Sequence, residues 1–167
     1  MRTITTTIEA FTFEELSEEA RQHAIEKLYD LNVSFDWWQF IYEDAENAGI
    51  KINGFDIDRG SYCTIEFVES AEYSAQYIVS NHGEKCDTFE CASAYLKDRD
   101  RTIEGDFEDL YELDYLLDYL DDAFMKLLSE CYLQLLRQEY EYLTSEEAII
   151  ETIKANEYEF TKEGNLV

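Results

Sequence analysis

Carboxylates are the chemistry-bearing side chains that stand out in this sequence, and they concentrate in one segment. Residues 102–125 contain repeated Asp and Glu but no Lys or Arg. Asp114, Asp118 and Asp122 occupy every fourth position, which on a helix places neighbours about 5–6 Å apart in one row. Because Asp is a poor helix former, solubility alone would favour Glu here. A rigid row of carboxylates can imitate a nucleic-acid backbone, whose charges also recur every few ångströms.

This segment is therefore our candidate partner-binding surface. Its carboxylates would face Lys and Arg side chains, and tyrosines among them would add contact area, since Tyr is large, stiff and amphipathic. The candidate residues are Glu108, Asp109, Glu112, Asp114, Tyr115, Asp118, Tyr119, Asp121 and Asp122. The alternative is an ordinary solvated helix face opposite a leucine stripe.

Two other patterns contain residue types that bind metal ions. The run from Asp56 through Asp58 to Gly60, with Glu66 downstream, is similar to a calcium loop, but Gly60 takes a ligand position and Glu66 falls one residue early. His82, Cys86 and Cys91 are too few and too widely spaced for zinc. Phosphate-binding loops and hydrolase or metalloprotease motifs are absent from the sequence. We expect no cofactor and no enzymatic activity.

The net charge restricts the partners. There are 13 Lys and Arg against 39 Asp and Glu, which gives −26. Phosphate backbones require clustered basic residues, so direct binding to nucleic acid or to an anionic membrane is not expected. A basic protein surface is the complementary partner, with an attraction that salt weakens. Solubility, or life in high salt, is the alternative explanation of the charge.

The cellular setting follows from other features. We see no apolar run of membrane-spanning length and no signal-peptide core at residues 1–10. The four cysteines form no CxxC pair, which is typical of reduced thiols in a cytoplasm.

Local patterns predict an α+β fold, with a small antiparallel sheet packed against several helices and a long acidic C-terminal helical region. Strands are expected at residues 4–11, 50–57, 62–68 and 158–161. Helices are expected from Ser17 as a cap, and at 36–48 capped by Ser34, 70–81, 88–96, 107–143 and 145–156. We interpret residues 1–167 as one domain: sheet and helices to 100, an acidic helical region at 101–157, and a terminal strand or tail at 158–167.

The 107–143 helix would span roughly 55 Å if straight, more than the roughly 40 Å of a compact domain of this size. It must therefore break, project or pair, and Asp121-Asp122 is a candidate break. A leucine stripe at steps of three or four marks its apolar side. The stripe residues are Leu110, Leu113, Leu117, Leu120, Phe124, Leu127, Cys131 and Leu135.

Four segments carry a resemblance that covers most of the chain. Residues 11–20 (FTFEELSEEA), 36–38 (DWW), 55–63 (FDIDRGSYC) and 142–149 (YLTSEEAI) resemble a family of small acidic proteins of bacteriophages and mobile elements. The resemblance brings no catalytic or ligand residues. It implies a phage or plasmid setting in a bacterial cytoplasm, where small acidic proteins are often inhibitors of host defence, including anti-restriction and anti-CRISPR proteins, some of them DNA mimics.

The leading hypothesis is a phage-type inhibitor that binds a basic, DNA- or RNA-handling defence nuclease complex through the acidic segment. One alternative is a regulatory or structural protein that forms a homodimer through the leucine stripe. A second is an enzyme or metal-dependent protein built around Asp56, Asp58, Cys86 and Cys91. A third is an acidic inhibitor that blocks assembly of its target without mimicry.

Overall fold

The computed structural model describes residues 2, 7, 9–105 and 110–167. In these ranges the fold is α+β, as predicted. The helices are α1 (Glu18–Lys27), α2 (Gln39–Asn47), α3 (Ala71–Asn81), α4 (Asp87–Ile103), α5 (Leu110–Leu143) and α6 (Glu146–Ala155). The strands are β1 (Phe11–Thr12), β2 (Ile50–Asp56), β3 (Tyr62–Phe67) and β4 (Glu159–Phe160).

The strands form two antiparallel two-stranded sheets rather than the one small sheet of the prediction. β1 pairs with β4, and β2 pairs with β3. Of the strand expected at residues 4–11, residues 4–6 and 8 lie outside the described residues, and among the others only Phe11 belongs to a strand, β1. Among the described helices, none is long and apolar enough to cross a membrane.

The chain divides into two compact units. The described parts of residues 1–37 and 139–167 form one unit, and the described parts of 38–138 form the other. Helix α5 contributes residues to both. The interpretation as a single domain stays a prediction.

The first unit is built around the β1–β4 pair, α1 and α6. Ser17 and Ser145 cap α1 and α6, as predicted, by accepting hydrogen bonds from the backbone N–H groups of Ala20 and Ala148, both at 3.3 Å. Gly164 has φ +83°, and a Cβ there would come 2.1 Å from the Ala20 carbonyl oxygen, so this close approach requires glycine. The core residues are Phe13, Leu16, Ala20, Ala24, Ile25, Ile149, Ile153 and Phe160.

The second unit packs α2, α3, α4 and most of α5 with the β2–β3 hairpin. Phe124 of α5 is its aromatic centre, with its ring stacked on Tyr95 of α4 at 4.3 Å and on Phe67 of β3 at 5.7 Å between centroids. Gly49 ends α2 with φ +71°, as expected of a residue following a helix C-terminus. Ser70 caps α3 through the Tyr73 N–H at 3.1 Å.

Two predicted helix boundaries are wrong. Helix α2 begins at Gln39, and Ser34, the predicted cap, instead donates its hydroxyl to the Leu31 carbonyl. Helix α4 does not stop at Leu96 but continues to Ile103. Neither Gly nor Pro ends α4 earlier, and Arg99 in its extension forms an ion pair with Glu72 of α3 at 3.0 Å. That contact supports the added turns.

Helix α5 is continuous through Asp121-Asp122, so the predicted break there is wrong. The helix ends at Leu143, as predicted, while residues 107–109 of its predicted start lie outside the described residues. Its 34 residues correspond to roughly 50 Å of helix.

Candidate partner-binding site

The first turns of α5 place most of the predicted site residues on one side of a helix. Asp114, Asp118 and Asp122 are exposed and lie one above the other, since each step of four residues rises about 6 Å and makes slightly more than one turn. Lys126 takes the next position in the row. The uninterrupted negative row therefore comprises three carboxylates.

Tyrosines flank this row. Tyr115 and Tyr119 are also spaced by four residues, and their side chains are 70% and 65% exposed. Exposed tyrosines of this kind offer a large, amphipathic contact surface beside the carboxylates. We name the exposed set the acidic face. Its residues are Glu112, Asp114, Tyr115, Asp118, Tyr119 and Asp122.

Asp121 lies apart from the acidic face. It is half-buried, and its Oδ1 accepts a hydrogen bond of 2.5 Å from the buried hydroxyl of Tyr95 on α4. Burial and this bond raise the pKa of Tyr95, so its hydroxyl remains a donor. Asp121 therefore joins two helices of the unit. The predicted site residues Glu108 and Asp109 lie outside the described residues.

The leucine stripe on α5 is not the buried face. Of the stripe residues only Phe124 is buried, while Leu110, Leu127 and Leu135 are 77%, 52% and 37% exposed. The helix buries every fourth residue instead, namely Phe124, Leu128, Tyr132 and Leu136. Apolar residues at steps of three and four are typical of a helix in a coiled coil. The buried residues of α5 instead belong to the core of the second unit. Before Phe124 no described α5 residue is fully buried.

The acidic face is an array of acceptors. Its carboxylates accept hydrogen bonds and attract cations, and the tyrosine rings add apolar area and a surface for cation–π contacts. A cationic guanidinium or ammonium side chain is the complement of such an array.

The carboxylates that resemble a calcium loop are engaged within the β2–β3 hairpin. Asp56 Oδ1 accepts the Asp58 N–H at 2.7 Å, which closes a local turn. Glu66 forms an ion pair with Lys51 across the hairpin, also at 2.7 Å. Across the described ranges, no group of three or more His, Cys, Asp or Glu side chains is placed to hold a metal ion.

The cysteines and histidine of the weighed zinc pattern separate into two contacts. Cys91 donates to Cys131 of α5, and this hydrogen bond together with burial raises the pKa of Cys91. The His82 ring contacts Asp44 and Thr88 instead, with its Nδ1 2.8 Å from Thr88 Oγ1. The sequence pattern did not indicate the contact of His82 with Asp44 or that of Cys91 with Cys131, because each pair joins elements that are distant in the sequence.

Comparison with known proteins adds no family to this geometry. No protein-family model matches the chain, and neither a curated protein nor a solved structure is significantly similar to it. The resemblance to acidic proteins of bacteriophages and mobile elements therefore stays a prediction.

Proposed function

We propose that the protein is a non-catalytic inhibitor of bacterial defence, which binds the nucleic-acid site of a basic defence protein through the acidic face. The observation that carries the proposal is the row of Asp114, Asp118 and Asp122, exposed on one continuous helix and flanked by exposed Tyr115 and Tyr119. A helix holds these carboxylates at a fixed spacing, so binding would not have to order them first.

The overall charge supports the same partner class. A net charge of −26 attracts a positively charged surface over a distance and increases the rate of encounter, an effect that salt screens. A defence nuclease must carry clustered Lys and Arg to hold its nucleic acid. The assignment to bacterial defence itself rests on the predicted resemblance, and the charge and geometry support the basic partner.

Capture from bacterial lysate tests this proposal. The tagged protein and two triple variants are compared at about 50 mM and about 500 mM NaCl, where charge screening differs strongly, and the retained proteins are identified by mass spectrometry. Asp114→Asn, Asp118→Asn and Asp122→Asn neutralise the acidic face. Glu26→Gln, Glu151→Gln and Glu163→Gln remove the same charge from exposed positions elsewhere.

We expect the unmodified protein and the matched control to retain a nucleic-acid-handling protein at low salt and to lose it at high salt. The acidic-face variant should lose it at both. Equal retention by the two triple variants would show that the total charge, rather than the acidic face, determines binding. That result would contradict the proposal.

Self-association is the second candidate function, and the exposure of Leu127 and Leu135 favours it. Light scattering coupled to size exclusion measures the mass of the protein in solution. A dimer that Leu127→Lys converts to a monomer would support this alternative, while a monomer at all concentrations would exclude it.

A further inference from the structure

A cleft of about 590 Å³ lies within the 38–138 unit, away from the acidic face. Its walls come from α2, the start of α4 and the second half of α5. The volume is in the range of small-ligand sites, roughly 300–1,000 Å³. The lining residues that bear on ligand binding are Phe40, Asp44, His82, Asp87, Gln134 and Gln138.

The Asp44 carboxylate is oriented by a hydrogen bond from a buried tyrosine. Tyr132, which is fully buried, donates its hydroxyl to Asp44 Oδ2 at 3.3 Å. Asp44 Oδ1 lies 3.4 Å from His82 Nε2. Burial, followed by the charge of Asp44, raises the pKa of Tyr132, so the hydroxyl remains a donor to the carboxylate. The Asp44 side chain is nevertheless 44% exposed, and it therefore presents an oriented acceptor to the cleft.

The His82 ring lies beside Asp44 and contains a buried nitrogen atom that no hydrogen bond satisfies. Its side chain is only 10% exposed, and although Asp44 Oδ1 lies 3.4 Å away, Nε2 has no hydrogen-bond partner among the described residues. The other ring nitrogen, Nδ1, is hydrogen-bonded to the Thr88 hydroxyl at 2.8 Å. A buried polar atom without a hydrogen bond is costly, and His82 Nε2 is such an atom in a residue that lines the cleft.

An aromatic ring lies beside the oriented carboxylate. Phe40 precedes Asp44 by one turn of α2, on the same side of the helix, and its side chain is 81% exposed at the cleft. On the α5 wall, Gln134 and Gln138 are likewise one turn apart and offer amide oxygens. Two carboxylates, Asp44 and Asp87, line the cleft against one ammonium, that of Lys85.

We propose that this cleft binds an arginine side chain of the basic partner. A guanidinium is flat and delocalised, so it stacks on an aromatic ring while its N–H groups donate to a carboxylate in the ring's vicinity. An ammonium lacks the flat surface and the fork of donors, and an anion would meet Asp44 and Asp87. The inference rests on the proposed function for the identity of the partner, but the cleft can be tested without the partner.

Nα-acetyl-arginine amide is the probe, and its binding is followed by the NMR shifts of the Gln134 and Gln138 side-chain amides. The matched probes are the acetyl amides of lysine and of citrulline, the second having the shape of arginine without its charge. We expect saturable shifts with the arginine probe, and shifts at least several-fold weaker with the other two. Equal binding of all three probes, or no saturable shift with arginine, would overturn the proposal.

Variants assign the binding to the two residues. Asp44→Asn should weaken binding of the arginine probe about tenfold or more, and Phe40→Ala should weaken it roughly two- to fivefold. Because Phe40 is exposed, its variant is expected to fold normally. Glu26→Gln, at an exposed position outside both the cleft and the acidic face, should leave probe binding unchanged. Unchanged binding by both cleft variants would overturn the assignment, whereas failure of lysate capture with intact probe binding would count only against the proposed function.

Discussion

At the scale of single residues, two buried tyrosines connect helices through carboxylates. Tyr95 of α4 bonds to Asp121 of α5, and Tyr132 of α5 bonds to Asp44 of α2. Buried hydroxyl groups require such partners, because an unsatisfied polar group costs more than the bond contributes. These two pairs could not be predicted from the sequence, because its many Tyr and Asp residues allow many equally plausible Tyr–Asp pairs. Asp121 was consequently grouped with the surface carboxylates.

The Tyr95–Asp121 bond is testable by removing one oxygen atom. Tyr95→Phe keeps the ring stacked on Phe124 but leaves the half-buried Asp121 without its donor, so we expect the free energy of unfolding to fall by about 1–3 kcal/mol. Tyr119→Phe is the matched control at an exposed position and should change it by less than about 0.5 kcal/mol. Urea unfolding measures both, and equal effects would contradict the assigned bond.

Thiol reactivity gives a second test at the residue scale. Burial raises the pKa of Cys63 to about 11, so at pH 8 this thiol is almost entirely protonated, and protonated thiols react poorly. Cys86 is exposed. A chromogenic disulfide reagent should therefore modify Cys86 before Cys63, and Cys86→Ser should remove the fast phase. Early modification of Cys63 in the folded protein would contradict its placement in the core.

At the scale of elements, local signals were sufficient for most boundaries. Ser17 and Ser145 predicted the starts of α1 and α6 correctly, because a serine followed by acids is a strong capping signal. Ser34, which is followed by Phe35 and a single acid, Asp36, was the predicted cap of α2, and that prediction is wrong. Before α2 the Trp37 N–H donates to the Phe35 carbonyl at 2.7 Å, and the buried Trp37 ring packs on Tyr140 within the first unit.

The buried face of α5 could not be read from its leucines. Leucine occurs around much of the helix circumference, and tertiary neighbours alone decide that Leu128 rather than Leu127 is enclosed. Leu128→Ala should lower the free energy of unfolding by about 2–5 kcal/mol. Leu127→Ala, the adjacent position and a residue of the same type, should cost less than about 1 kcal/mol. Thermal and urea unfolding would distinguish them, and a reversed order would mean that the stripe is the core.

At the scale of the whole molecule, the sequence predicted the α+β class and the exposed acidic row, but not the cleft around Asp44. The row lies within one helix, where spacing determines position. The cleft combines residues of α2, α4 and α5, and only the tertiary fold brings Asp44 to His82. The division into two units was equally invisible, since no Pro- or Gly-rich linker marks it.

Stability should fall at alkaline pH. Burial raises the pKa values of Cys63, Tyr42, Tyr95 and Tyr132 in the folded state. Above about pH 9, where the ordinary cysteine value lies, the unfolded chain therefore loses protons that the folded chain keeps. The unfolded state then binds fewer protons, so the free energy of unfolding decreases as pH rises.

Melting temperatures measured between pH 7.5 and 10.5 test this prediction, and we expect them to decline most steeply above pH 9. Repetition in about 0.5 M NaCl is the control, because salt screens the repulsion between surface charges but not the cost of ionising buried groups. A melting temperature that stays constant or rises over this range would contradict the burial of these groups.

On the proposed function, the acidic face occupies the nucleic-acid site of its partner. The most direct measurement is competition: fluorescently labelled nucleic acid is bound to the captured partner, and its anisotropy is followed as the protein is added. We expect the unmodified protein to displace the labelled nucleic acid completely, and the control variant Glu26→Gln, Glu151→Gln, Glu163→Gln to do the same. The acidic-face variant Asp114→Asn, Asp118→Asn, Asp122→Asn should displace none. A complex in which partner, nucleic acid and protein are bound together would contradict it.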